Sequence, residues 1–141
     1  MPLKNIVEDI INIAKNQPNI GYVGYGDVYQ LNSVPNIDYS VFFVTQQNHS
    51  LENDIMTYNL TLFYIDRLLN DESNMLQIHS QGILEINNIV NLFNEISDDE
   101  IDLSVNYTTF THRFTDNCAG VFATVKITSE NDLGICGYGS I

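Results

Sequence analysis

The chain has 141 residues, enough for a single domain over residues 1–141 that buries about two-thirds of its unfolded surface. Its formal charge of −13, from 18 acidic residues against five scattered Lys and Arg, argues against DNA or RNA binding, which needs clustered cations to neutralise phosphates. The apolar content of 44% is that of a globular domain and argues against a disordered acidic segment.

The chain shows no feature of a membrane or exported protein. No segment approaches about 20 consecutive apolar residues, and no signal peptide opens the sequence. We therefore expect synthesis in a reducing cytoplasm and no membrane association. Cys118 and Cys136 lack CxxC spacing, and a hairpin about residues 129–132 would place Cys136 opposite Val125. We expect two buried free thiols.

Two segments have the apolar periodicity of amphipathic helices. The first covers residues 2–18, with Pro18 just beyond its end, and its predicted buried stripe is Leu3, Ile6, Val7, Ile10, Ile13 and Ala14. The second runs from the turn at residues 70–74 to about Ile96, where the acidic segment 97–100 ends it. Its predicted buried stripe is Leu76, His79, Ile83, Ile86, Val90 and Phe93.

Three strands are predicted between these helices. Residues 20–31 and 37–47 are rich in aromatic and β-branched residues, and residues 35–36 form the turn between them. Residues 49–54 are interpreted as a connection. Residues 55–66 show the clearest alternation, with one face formed by Met56, Tyr58, Leu60, Leu62 and Tyr64 and the other by Thr57, Asn59 and Thr61.

Two further strands are predicted after the second helix. In the first, Ile101, Leu103, Val105 and Tyr107 point inward, and the pattern then shifts by one residue to Phe110, His112 and Phe114. Such a shift predicts a β-bulge, or a strand that bends between two neighbours. The second strand contains Val121, Ala123, Val125 and Ile127, and the short segment 133–138 can pair with it.

This order of elements predicts an α+β fold. Strands that follow one another through short turns pair antiparallel, and both helices need a sheet face to cover. We therefore expect a mostly antiparallel sheet of about five strands with two helices packed on it.

The glycine-rich segment "GYVGYG" at residues 21–26 raises the question of nucleotide binding. A phosphate-binding loop follows a strand and opens a helix, so that backbone N–H groups face the anion. This segment instead follows a helix and leads into strand residues, and it lacks the Lys-Ser/Thr ending. We expect no nucleotide, and we interpret the tyrosines as contact area in the core or at a subunit boundary.

No other pattern predicts catalysis or a cofactor. His49, His79 and His112 lack the spacing of a zinc site, and His79 is expected to be a hydrogen-bonded core residue. Residues 98–102 alternate acids as a calcium loop does, but they lack its glycine and its distal Glu. The serines lie in no nucleophile elbow. The pair Asp66–Arg67 is interpreted as a local ion pair or a subunit contact.

Three stretches, at residues 37–49, 62–74 and 114–127, resemble those of virion proteins from phages of Bacteroidetes hosts, including crAss-like phages. The order of elements also resembles the tail-terminator fold, an α+β domain that forms rings at the head-to-tail junction. The resemblance covers nearly the whole chain and carries no catalytic residue.

The resemblance implies a structural virion protein, made in the host cytoplasm, that forms a ring of six or twelve copies beside portal, neck or tail proteins. DNA would pass through an acidic lumen without specific binding. The residues expected at the subunit interface are Tyr22, Tyr25, Tyr29, Asp66, Arg67 and Arg113. Those expected to face the lumen are Glu52, Asp54, Asp98, Asp99 and Glu100. The alternative is a non-catalytic module that binds a protein or peptide, as a monomer or dimer, through its tyrosine-rich strand.

Overall fold

A computed structural model describes residues 2–34, 36–97, 102–113 and 117–130, with the backbone alone at residues 102–103, 113 and 129–130. The helices are α1 (Leu3–Lys15) and α2 (Met75–Ile96), with a 3₁₀ helix at Val28–Ser33. The strands are β1 (Tyr22–Tyr25), β2 (Val41–Gln46), β3 (Ser50–Glu52), β4 (Ile55–Arg67), β5 (Asp102–Arg113) and β6 (Cys118–Glu130). The predicted α+β class is confirmed.

The strands form one sheet in the order β1-β2-β4-β6-β5, and β3 pairs with the beginning of β4. All pairs are antiparallel except β1 with β2, which are parallel. That parallel pair corrects the expectation that successive strands run antiparallel. The segment between β1 and β2, which contains the 3₁₀ helix, returns the chain to the end of the sheet where β1 begins, so β2 runs in the same direction. The longest ladder joins β4 to β6, from Ile55 opposite Glu130 to Arg67 opposite Cys118.

The predicted strand 20–31 is only four residues long in the structure. Gly26, at a φ of 127°, ends β1, and the Asp27 side chain then accepts a hydrogen bond of 3.0 Å from the Tyr29 backbone N–H. An aspartate that caps free N–H groups in this way starts the 3₁₀ helix, although the residues that follow favour strands. The predicted strand 37–47 is likewise shorter and begins at Val41.

The predicted connection at residues 49–54 contains the short strand β3 and a tight hairpin turn into β4. Asn53 and Asp54 both have positive φ, 52° and 62°, which is the conformation of a two-residue type I′ turn. Asn and Asp tolerate this left-handed backbone better than most residues, so the pair itself was the sequence signal for a hairpin.

Both helices pack on the same face of the sheet and form the main core with it. Helix α1 buries Ile6, Val7, Ile10 and Ala14, as predicted. Strand residues on this face include Tyr58, Leu60, Leu62 and Tyr64 of β4 and Val121, Ala123, Val125 and Ile127 of β6, also as predicted.

The predicted stripe of α2 is partly wrong. Leu76 is 79% exposed and Ile83 is 37% exposed, while Ile78 and Gly82 are buried. The predicted stripe repeats every seven residues, which is not a whole number of turns of a straight α-helix. Its positions therefore rotate around the helix by about 20° per repeat, so part of the predicted stripe lies outside the buried side. Gly82 lies directly against β6, since an added Cβ would come within 2.7 Å of Val121 Cγ2.

The opposite face carries a smaller core at one end of the sheet, beneath the 3₁₀ helix and the segment before β2. Phe110 points to this face and packs against Phe122, with ring centroids 6.4 Å apart. The predicted phase shift after Tyr107 is therefore a change of face within a regular strand. A bulge does occur, but between Phe110 and Arg113, where His112 has a φ of 56°.

The predicted thiol at Cys118 is free and buried, as expected. Cys136, the segment 133–138 predicted to pair with β6, and Ile101 and Phe114, predicted to point inward, lie outside the described residues.

The corrected orientation of α2 predicts unequal effects of two substitutions on the same helix. Ile86 is fully buried, so Ile86→Ala should lower the free energy of unfolding by about 2–5 kcal/mol. Leu76→Ala should change it by less than about 0.5 kcal/mol, because Leu76 lies in solvent. Urea unfolding followed by circular dichroism measures both, and comparable losses in the two variants would contradict this orientation.

Candidate interaction surface

The face of the sheet opposite α1 and α2 is a surface that neither of these helices covers. We call it the open face, defined as the side chains of β4, β5 and β6 that point away from α1 and α2. The strand register places its residues in rows across the sheet, such as Phe63–Phe122–Thr108 and Thr61–Thr124–Asn106. The next row is Asn59, Lys126 and Ser104.

The open face has two halves along the strands. The half near the end of β4 is aromatic, with Phe63 buried and with Phe110 and Phe122 half-buried. The other half carries short hydroxyl and amide side chains, among them Thr57, Asn59, Thr61, Asn106, Thr108, Thr124 and Thr128. The surface can therefore make apolar contacts at one end and hydrogen bonds at the other.

Charge is distributed unevenly between the open face and the rest of the molecule. The chain has 18 Asp and Glu, yet no side chain described on the open face is a carboxylate. Lys126 lies exposed on it, and Arg67 lies at its aromatic end. In a protein of charge −13, this face is complementary to an acidic surface.

A shallow depression of about 440 Å³ lies where the two halves meet, lined by Gln47, Asn48, Asn59, Thr61, Phe122 and Thr124. Its polar groups are already oriented. The Gln47 amide donates to Thr61 Oγ1 at 2.9 Å, and the Asn59 amide donates to the Asn48 carbonyl at 2.7 Å. A side chain from a partner could enter it without reorganising these groups.

The three tyrosines predicted at an interface do not form one patch. Tyr22 is half-buried against the smaller core, whereas Tyr25 is 44% exposed on the helix side, where its hydroxyl accepts a hydrogen bond from Gln46 Nε2. Tyr29 is 53% exposed in the 3₁₀ helix. Successive odd and even positions of a strand point to opposite faces, which separates Tyr22 from Tyr25.

Asp66 and Arg67 are separated by the same alternation, so the expected local ion pair is wrong. Asp66 lines a cavity of about 340 Å³ on the helix side, and its carboxylate accepts a hydrogen bond from the Arg67 backbone N–H. Burial raises the pKa of Asp66, although that hydrogen bond opposes the change. The Arg67 guanidinium lies on the other side, 5.5 Å from the centre of the Tyr39 ring.

Arg67 and Tyr39 also line a cavity of about 270 Å³ whose floor is apolar, with Val41, Ile65 and Cys118 among its residues. Arg113, the last predicted interface residue, is described by its backbone alone, which pairs with Cys118 at the same end of the sheet.

The acids predicted to face a lumen are only partly described. Glu52 and Asp54 are exposed at the β3–β4 turn, while Asp98, Asp99 and Glu100 lie outside the described residues. The strand register shows which end of the sheet these segments belong to: Ile55 pairs with Glu130, and Asp102 pairs with Thr128. The β3–β4 turn and the beginning of β5 therefore belong to the same end of the sheet.

The histidines have structural partners. His79 Nε2 lies 3.0 Å from the Phe110 carbonyl, which confirms the expected hydrogen-bonded role, and the His49 ring contacts Tyr58 edge to face. His112 Nε2 lies 2.8 Å from Glu72 Oε1. In the part of the chain that the structure describes, no three His, Cys, Asp or Glu side chains converge in a way that could hold a metal ion.

The sequence contains a signal for the open face that a search for local catalytic or binding motifs does not detect. Thr57, Asn59 and Thr61 were assigned to one face of β4, but as the polar side of a strand and not as a site. Thr124, Lys126 and Thr128 alternate in the same way along β6. Over residues 57–61 and 124–128, two strands thus alternate with uncharged or basic residues in a chain this acidic, which indicates a surface with few carboxylates among its described side chains.

Comparisons with known proteins add no relative: no family model matches the chain, and no curated protein sequence matches it. Among the helices of the described residues, none combines the length and the apolar character that crossing a bilayer requires.

The His112 contacts predict a measurable titration. A hydrogen bond with Asn117 and the charge of Glu72 both raise the pKa of His112 above its usual 6.5. The stabilisation from these contacts is complete below the unfolded value and is lost as the pH rises through the folded one. Histidine NMR titration should show the raised pKa and a lower one in Glu72→Gln. No change in that variant, or the same change in the control Glu95→Gln, would contradict the assignment.

Burial of Asp66 predicts that the protein is more stable when this carboxyl group is protonated. Because its pKa is raised, the stability linked to its protonated form is lost as the pH rises through that pKa, and at pH 7 the charged group is partly desolvated. Asp66→Asn should raise the free energy of unfolding at pH 7 by less than about 1 kcal/mol, since water screens this half-exposed group. The gain should vanish in acid. A loss of stability at pH 7 would show that the carboxylate is required.

Proposed function

We propose that this protein is a structural subunit that assembles with copies of itself into a ring. Following the resemblance described above, we propose a ring of six or twelve copies at the head-to-tail junction or tail of a phage particle, beside portal, neck or tail proteins. The observation that carries the proposal is the open face, a surface with half-buried aromatic rings and no carboxylate among its described side chains, in a strongly acidic molecule.

The composition of the open face is that of a surface that contacts another protein. Half-buried phenylalanines, together with threonines of which Thr108 and Thr124 are exposed, offer apolar area and hydrogen-bonding groups across neighbouring strands. Contact area with little charge is the property of protein interfaces. Because the rest of the molecule is acidic, its own outer surface is the complementary partner that is always present.

The acidic end of the sheet supports the second part of the proposal. Glu52 and Asp54 are exposed where β3 turns into β4, and the strand register brings the beginning of β5 to the same end. In a ring with this end toward the axis, carboxylates would face the channel. Negative potential repels phosphates and would let DNA pass without adhesion. The protein would then act in the virion without a cofactor and without catalysis.

A second candidate function is a monomeric or dimeric module that binds a peptide. It is favoured by a groove of about 360 Å³ between α1 and the edge strand β1, lined mainly by apolar side chains, including those of Leu3, Val7, Ile11 and Tyr25. An extended peptide can add a strand at such an edge and place a side chain in the groove.

The state of assembly separates the two proposals. Native mass spectrometry and light scattering should find six or twelve copies of the 16.0 kDa chain, and electron microscopy of the same sample should show rings with a central channel. The assembly should weaken as salt is raised, if charge complementarity contributes to it. A protein that stays monomeric or dimeric at millimolar concentration would contradict the ring and leave the peptide-binding module.

A further inference from the structure

The outward side of α2 matches the open face in chemistry. Residues at spacings of three and four along this side form a stripe in solvent: Leu76, Ser80, Leu84, Asn87, Asn91 and Asn94. Leu76 is 79% exposed and Leu84 is 60% exposed. The stripe is thus apolar in its first half and amide-bearing in its second, and Glu95 follows at its end.

Along the strand direction, the two halves of the stripe also lie level with the corresponding halves of the open face. Gly82 is level with Val121 of β6, since an added Cβ there would meet the Val121 side chain. Moving 13 residues along α2 to Glu95 covers about 20 Å, and six residues of β6 to Ile127 cover about the same distance. Both elements run in the same direction, because α2 starts near the end of β4 and ends before β5 begins. Leu84 is therefore nearly level with Phe122, and Glu95 with Lys126.

We propose that the open face of one copy packs on the outward side of α2 of the next copy. This inference rests on the proposed ring and assigns its interface. Leu84 would contact the aromatic half of the open face beside Phe122, Asn87 and Asn91 would face the threonines, and Glu95 would approach Lys126. Helix α2 would then lie between two sheets, its own and that of its neighbour.

Charge complementarity is what selects a second copy as the occupant. The open face carries Lys126 and no described carboxylate, while helix α2 carries no Lys or Arg and its outward stripe ends at the exposed Glu95. The same stripe, with Glu95 at its end, is present on every other copy of the protein. The contact joins two different patches and is therefore heterologous, and it closes into a ring when the rotation between successive copies divides a full turn evenly with no rise along the axis.

The apolar part of the contact can be removed at one exposed position. Leu84→Asp introduces a charge opposite Phe122 without touching the core, since Leu84 is 60% exposed. It should lower the apparent association constant at least tenfold, with an unchanged circular dichroism spectrum. Leu51→Asp is the matched control, because Leu51 is equally exposed, at 56%, but lies in the β3 hairpin away from both patches. Equal assembly of the two variants would overturn the proposal.

Charge reversal tests the direction of the contact. Glu95→Lys and Lys126→Glu should each weaken assembly severalfold, because each places like charges together in every contact. The chain carrying both changes restores opposite charges and should recover assembly. Failure of the double variant to exceed either single variant would show that the two residues do not meet.

Disulfide trapping decides the geometry. In a chain whose Cys118 and Cys136 are replaced by Ala and Ser, Asn87→Cys together with Thr124→Cys should give, on oxidation, a ladder of cross-linked species up to the full ring. Each single-cysteine chain should give no ladder. Cross-linked dimers from a single-cysteine chain would show an isologous contact and overturn the proposal. If the native protein is monomeric, the ring itself fails; if it forms rings but gives no ladder, only this interface fails.

Discussion

The structure depends on a single layer of two helices that covers one face of the sheet and leaves the other face without an α-helix. The β4–β6 ladder, 13 residues long, holds this sheet together, and both strands alternate strictly between the two faces. On one face the alternation supplies Leu60, Leu62, Val121 and Val125 to the core under α1 and α2. On the other, the same strands present phenylalanines, threonines and a lysine. When helices cover only one side of a sheet, the other side remains at the surface, and the side chains on that other side can serve a function.

The distribution of charge follows from that division. The described carboxylates lie on the helices, on the turns and at the strand ends, most of them in contact with water, and the centre of the open face has none among its described side chains. High net charge keeps copies of a protein apart unless they meet through a surface that lacks that charge. The proposed ring uses this arrangement twice, with a low-charge face between copies and acidic turns toward the channel.

The sequence predicted the fold class and the main core because both depend on periodicity. The alternation in residues 55–66 and 121–127 and the helical spacing in residues 2–18 led directly to buried residues. The predictions failed where a single side chain or backbone angle decided the outcome: Asp27 starting a 3₁₀ helix, Asn53–Asp54 turning a hairpin, and Gly82 bringing α2 onto β6. The candidate site was missed for a different reason. A surface made of alternate residues from three strands has no local motif, and its members meet only when the register is known.

The central claim, that the open face of one copy is covered by helix α2 of its neighbour, is tested most directly by an electron cryomicroscopy reconstruction of the assembled protein. The account predicts a closed ring in which each α2 lies between two sheets and Leu84 faces Phe122 of the adjacent copy. A reconstruction in which the open face borders solvent or the channel, with α2 exposed on the outside, would contradict it.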